Sequence, residues 1–301
     1  MSDDALAPIG VIADYNLLEK IDAAGPGDLY RARDTRRGRT VAVRVLPDDF
    51  TGDQAALVAS ARAVQVLSHP NAITVFDAGT HDGRVYVVFE FLKGGSLRSE
   101  MAGRPVNVRR AVDMTIQIAD AVADAHAAGF FHGGLSPDTV VITAKGNAKI
   151  PTFDLAVQCG LHDEGGQVRL DDYASPEEAR GEAPDERSDV YSAGAILYEM
   201  LTMRRPMHRG ASAPSASNAS VPKALDAVVL RAVSPNPDSR YQNVATFAGV
   251  LRSVASVAEE EPEEPHQAPA ASSSTTMGSV ALTTVVILAV VAAILWWVMR
   301  S

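Results

Sequence analysis

Apolar residues fall into two regimes along this chain. The first third has short runs bounded by Gly, Asp and Pro, and the rest has longer runs with helical spacing. Tyr30–Arg33, Thr40–Leu46, Ile73–Asp77 and Val85–Phe91 read as strands, interrupted by one helical stretch over Gln54–Leu67. Val106–Ala128, Asp189–Thr202, Lys223–Ala232 and Asn243–Val257 read as helices. A strand-rich part followed by a helical part predicts an α+β fold with two lobes, residues 13–91 and 92–257, behind an N-terminal extension over 1–12. There is no internal repeat.

A third regime closes the sequence. Val280–Met299 contains no charged residue and ends in Ile294-Leu295-Trp296-Trp297-Val298. About twenty helical residues at roughly 1.5 Å each span the hydrocarbon core of a bilayer, and paired tryptophans suit its interface. A buried core helix of this length would show a polar face, so residues 280–299 are expected to be one C-terminal transmembrane helix. Between it and the globular part, residues 258–279 hold EEEPEEP and APAASSSTT, too poor in apolar surface to fold and expected to be a solvated tether.

Composition narrows the function. A net charge of −10 argues against a nucleic-acid partner, since nothing here would release counterions from phosphate. The single cysteine, Cys159, excludes an intrachain disulfide framework. The opening MSDDALAPIG has neither a basic nor an apolar stretch and is not a secretory signal, so the globular part is expected to be cytoplasmic and held to the membrane by its tail.

Three segments carry the candidate chemistry: Phe131-His132-Gly133-Gly134-Leu135-Ser136-Pro137, Val41-Ala42-Val43-Arg44 and Thr152-Phe153-Asp154. They resemble, in order, the catalytic loop, the third-strand lysine motif and the metal-binding motif of protein kinases, bacterial serine/threonine kinases of the eukaryotic type in particular. The resemblance covers nearly the whole globular part. It implies a bilobal kinase-like fold in which the catalytic Asp has become Gly134 and the metal-binding Asn Thr139. The metal-binding Asp is Thr152 and the lysine is Arg44; its glutamate partner falls at Ser60. The phosphate-covering glycines fall at Asp22, Ala24 and Gly27, of which two are lost. No Lys between Lys20 and Lys93 supplies the missing one, and Arg31 and Arg33 are expected to face solvent. Asp154 and Asp138 are weak substitutes for a metal ligand and a base, one aimed in another direction and the other at a variable position.

The parts of the motifs that fold a kinase are retained. Phe89-Glu90-Phe91-Leu92 resembles the hinge, with Phe89 as gatekeeper, and Ile21, Leu29, Ala42 and Val141 would line the adenine side. His132 would be a structural spine residue with Val64, Val75 and Phe153, anchored by Asp189, and Arg240 would pair with Glu177. The resemblance therefore implies a membrane-anchored pseudokinase. It would need no cofactor, bind ATP weakly if at all, hold no metal, and partner an active kinase or its substrate. Two alternatives stay open: an atypical serine/threonine kinase with weak activity, and a metal-independent nucleotide sensor. Asp22 is expected to meet Arg44 across the phosphate site, with Asp154 as the rival acid.

Overall fold

The computed structural model describes residues 7–21, 27–50, 52–151, 173–207 and 210–260, the side chains of 257–260 excepted. The 280–299 segment therefore lies outside the described residues. Among the described residues no helix is long and apolar enough to cross a membrane.

The N-terminal lobe is one antiparallel sheet of β1 (Gly10–Ile12), β2 (Tyr15–Ile21), β3 (Asp28–Asp34), β4 (Arg39–Val45), β5 (Val75–His81) and β6 (Arg84–Glu90). They are ordered β1-β2-β3-β4-β6-β5. Alternation sends side chains to two faces. Val41, Val43, Val45 and Val88 form an outer cluster with Tyr15 and Tyr86. Ala42, Val87 and Phe89 face inward to the main core, with Leu29 packed against it. Helix α1 (Gln54–Ala63) lies beside the sheet, capped by Asp53, whose carboxylate accepts from the Ala55 and Ala56 amides.

The observed bounds differ from the sequence expectations in instructive places. The end of the extension expected over 1–12 belongs to the fold, because Gly10–Ile12 pairs with Leu17–Tyr15 of β2. The helix expected over Gln54–Leu67 tightens to a 3₁₀ turn at Val64–Val66, a common way for a helix to end. The strand expected at Ile73 starts two residues later. The Ile73 amide is spent on the Ile150 carbonyl (2.8 Å) and the Thr74 amide on Glu90 (3.0 Å). That strand also runs on to His81, where Asp82 and Gly83, both at positive φ, turn the chain back into β6. Arg31 does not face solvent; it lies on the inner face and pairs with Glu19 at 2.9 Å.

The C-terminal lobe contains α2 (Leu97–Met101), α3 (Val108–Ala127), α4 (Glu186–Thr202), α5 (Lys223–Ala232) and α6 (Val244–Glu260). A small sheet of β7 (Gly94–Ser96), β8 (Val141–Thr143) and β9 (Ala148–Lys149) joins them, in the order β7-β8-β9. Helix α4 is buried from Ser188 through Thr202, which makes it the axis of the lobe. Its start is set by a capping box between Asp185 and Ser188. The last helix runs to Glu260, past the Val257 boundary read from the pattern.

The candidate active site

The inner face of the sheet forms the upper wall of the site. Register pairs Arg44 with Leu29 on one side and Val87 on the other, and Ala42 with Phe89, so these side chains share the face turned toward the C-terminal lobe. Ala42 and Phe89 are buried; Leu29, Arg44, Glu90, Leu92 and Ile21 are half-buried, as is Val141 on β8 below. Gly27 is retained for a backbone reason. It has φ +70°, and a Cβ there would stand 2.1 Å from the Val45 carbonyl oxygen. Asp22 and Ala24 lie outside the described residues. One described acid that feels Arg44 is Asp28. Its carboxyl is held below its ordinary range first by the Lys20 ammonium (2.7 Å), then by the Tyr30 hydroxyl, with Arg44 a more distant contributor. Ser60, half-buried on α1, offers Arg44 no charge.

The loop that follows α3 is built around one carboxylate. Asp189, at the start of α4, accepts from the His132 amide (2.8 Å), the Gly133 amide (3.0 Å) and His126 Nε2 (2.8 Å). Gly133 sits at φ +62°, which a side chain at that position would make strained. His132 is buried, its Nε2 against the Pro151 carbonyl at 3.0 Å, and burial pushes its pKa down, so the ring is neutral. The rest of the loop closes on itself. Thr139 Oγ1 accepts from the Ser136 amide (3.1 Å) and donates to the Ser136 carbonyl (3.0 Å), an internal turn. Gly134 contributes no side chain. Asp138, the substitute base considered from sequence, is held by Arg98 Nη2 at 3.2 Å.

These contacts bear on the magnesium and ATP that the fold implies. Hard cations want anionic oxygen, and the loop's one carboxylate, Asp138, is already held by Arg98. Its only hydroxyl at the position of the metal-binding Asn is consumed within the turn. Among the described residues, no three His, Cys, Asp or Glu side chains are grouped to hold a metal. Thr152, Phe153 and Asp154 lie outside the described residues. On the described side the residues do not fit the metal.

Two supporting contacts complete the site. Arg240, fully buried, makes a fork to Glu177 with Nη1–Oε1 at 2.6 Å and Nη2–Oε2 at 2.8 Å, and Ser188 donates to the same carboxylate at 3.0 Å. Burial opposes this charge, but the arginine fork outweighs it and brings the Glu177 carboxyl down to about 2. Val64 and Val75 are buried in the main core. The second contact was not foreseen from sequence. Lys149 Nζ lies 2.5 Å from Glu90 Oε1 and 3.3 Å from the Ala72 carbonyl, tying β9 to the hinge.

Comparison with known proteins bears on this arrangement. A family model described as Protein kinase domain matches residues 15–253. The chain belongs to this family. It is 34% identical over 278 residues to the serine/threonine-protein kinase PknB of Mycolicibacterium smegmatis, covering 83% of this chain and 44% of that protein. It is 30% identical over 262 residues to the serine/threonine-protein kinase PrkC of Bacillus subtilis, covering 79% and 40%. The chain thus spans less than half the length of these relatives. Among solved structures, the kinase domain of Mycobacterium tuberculosis PknI superposes with a TM-score of 0.68 at 22% identity, over 83% of this chain and 99% of that one. That likeness gives the bilobal fold. Among the described residues, Asp189 with His132 and Arg240 with Glu177 make the contacts expected of them from the sequence.

Proposed function

We propose that this chain is a pseudokinase: a kinase-family domain, held at a membrane by residues 280–299, that acts as a scaffold or allosteric partner and transfers no phosphate. The observation that carries the reading is the loop over 132–139. It is anchored to Asp189 through the His132 and Gly133 amides, yet its one carboxylate, Asp138, is paired with Arg98 and Thr139 is spent within its own turn. A general base contributes about 10²- to 10⁴-fold to such a reaction, and no described side chain replaces it. Its partner is proposed to be an active kinase or that kinase's substrate on the same membrane; affinity purification of the full chain from native membranes tests this.

Nucleotide binding separates this reading from its rivals. Neither ATP nor ADP is expected to raise the melting temperature, with or without magnesium or manganese. A metal-dependent rise would favour weak catalysis. A metal-independent rise would favour a sensor, for which the half-buried Arg44 on the cleft wall is the evident phosphate contact. If Asp22 blocks that contact, Asp22→Gly should strengthen nucleotide binding in calorimetry; unchanged affinity in a folded variant rejects the blocking role.

The anchor has its own test. Deleting residues 279–301 is expected to move the protein from the membrane fraction to the soluble fraction while its circular dichroism is preserved. Retention in the membrane fraction, or aggregation, would reject 280–299 as the sole anchor.

A further inference from the structure

The segment between the two halves of the site ends in a cluster that the proposed function does not use. Residues 153–172 contain no Ser, Thr or Tyr, so between Thr152 and Tyr173 the chain offers no hydroxyl to phosphorylate. The hydroxyls that follow are inaccessible: Tyr173 is 2% exposed and Ser175 0%. Ser175 Oγ donates to Glu178 at 2.7 Å. The Tyr173 hydroxyl donates to the Glu199 carboxylate and accepts from Arg98 Nη2. Arg98 Nη1 meets the other Glu199 oxygen at 2.8 Å, and its far edge holds Asp138 of the loop at 3.2 Å. Arg205 stands 3.9 Å from Glu199. Both guanidiniums lie within cation–π reach of the Tyr173 ring, at 5.7 and 5.5 Å.

Phosphorylation orders such segments in kinases by adding an anion for waiting arginines. Here the anion is built in. Glu199 is a buried carboxylate on the lobe's central helix, and Arg98 satisfies it. We propose that Arg98 is a positioning residue that docks the end of this segment, at Tyr173, permanently, in place of phosphorylation. One guanidinium ties three elements together: the segment at Tyr173, helix α4 at Glu199 and the loop at Asp138. Burial and the neighbouring Glu199 carboxylate push the Tyr173 hydroxyl up, which keeps it a donor across the ordinary pH range. The inference stands whether or not the chain transfers phosphate.

Hydrogen exchange on the full chain in detergent micelles tests it. Hydrogen bonds to charged groups carry enough free energy that losing one should speed local opening about ten- to a hundredfold. Arg98→Met is expected to raise exchange by that much at amides 174–178 and to leave the α3 amides unchanged. Arg98→Lys, which keeps the charge but loses the fork, should fall between. Co-expression with an active serine/threonine kinase should leave wild-type exchange over 173–178 unaltered. A folded Arg98→Met with wild-type exchange overturns the proposal, as does phosphate within 152–178 that slows exchange there. If Arg98→Met does not fold, Arg98→Lys decides alone, and wild-type exchange in that variant is the overturning result.

Discussion

Supplied with ATP and either magnesium or manganese, the purified chain is expected to place no γ-phosphate on itself or on generic protein substrates. Active protein kinases turn over at about 1–100 per second. Removing the general base alone lowers such a rate by about 10²- to 10⁴-fold. On the proposed reading the losses fall together at Arg44, Ser60, Gly134, Thr139 and Thr152. Their effects do not multiply, because residues that act as a unit fail as a unit. The consequence is that repairing one position should restore little: Gly134→Asp returns a carboxylate to a loop in which Thr139 is still turned inward. Mass spectrometry of the products, with contaminating kinase excluded, is the measurement. Incorporation that persists in the wild type and disappears in Arg44→Ala would overturn the scaffold reading.

Arg240→Ala is expected to be the most destabilising single substitution at the site. Its guanidinium is fully buried and shares both nitrogens with Glu177. Removing one partner of a buried pair leaves the other charge desolvated and costs about 3–5 kcal/mol. Domains of this kind are stable by only about 5–15 kcal/mol, so the variant should populate the unfolded state measurably. Chemical denaturation checks this against Arg180→Ala, which breaks an exposed pair with Glu182 and should leave the midpoint unmoved. The same pair predicts a direction with pH. The folded Glu177 carboxyl titrates at about 2, below its ordinary 4.5. Its contribution is therefore complete above about 4.5 and is lost as pH falls toward 2. Glu177→Gln should flatten acid denaturation in that window; an unchanged acid limb would show that the pair does not govern it.

Motif spelling was enough to pick out His132, Asp189, Glu177 and Arg240, which the fold brings into contact in two groups. Each sits in a short string of residues whose order is itself informative. Lys149 and Glu90 are 59 residues apart, and Arg98 and Glu199 are 101 apart. Nothing local marks such pairs, because an ion pair between distant positions depends on how strands and helices stack. The strand bounds show the same limit. Ile73 and Thr74 have strand-forming side chains, but their amides are claimed by Ile150 of the other lobe and by Glu90 at the end of β6, contacts visible only once the chain has folded. Asp82-Gly83, by contrast, was a readable turn signal, and it would have carried β5 to His81.

The three-residue strand Gly10–Ile12 has a practical consequence for anyone who isolates this domain. It pairs with Tyr15–Leu17 and so covers the outer side of β2. A fragment begun at Tyr15, where the family match starts, would remove that cover and bare a row of unpaired amides and carbonyls. Uncovered strand edges template pairing with other chains. Such a fragment should self-associate at concentrations where one begun at Pro8 stays monodisperse, and light scattering on the two would show the difference.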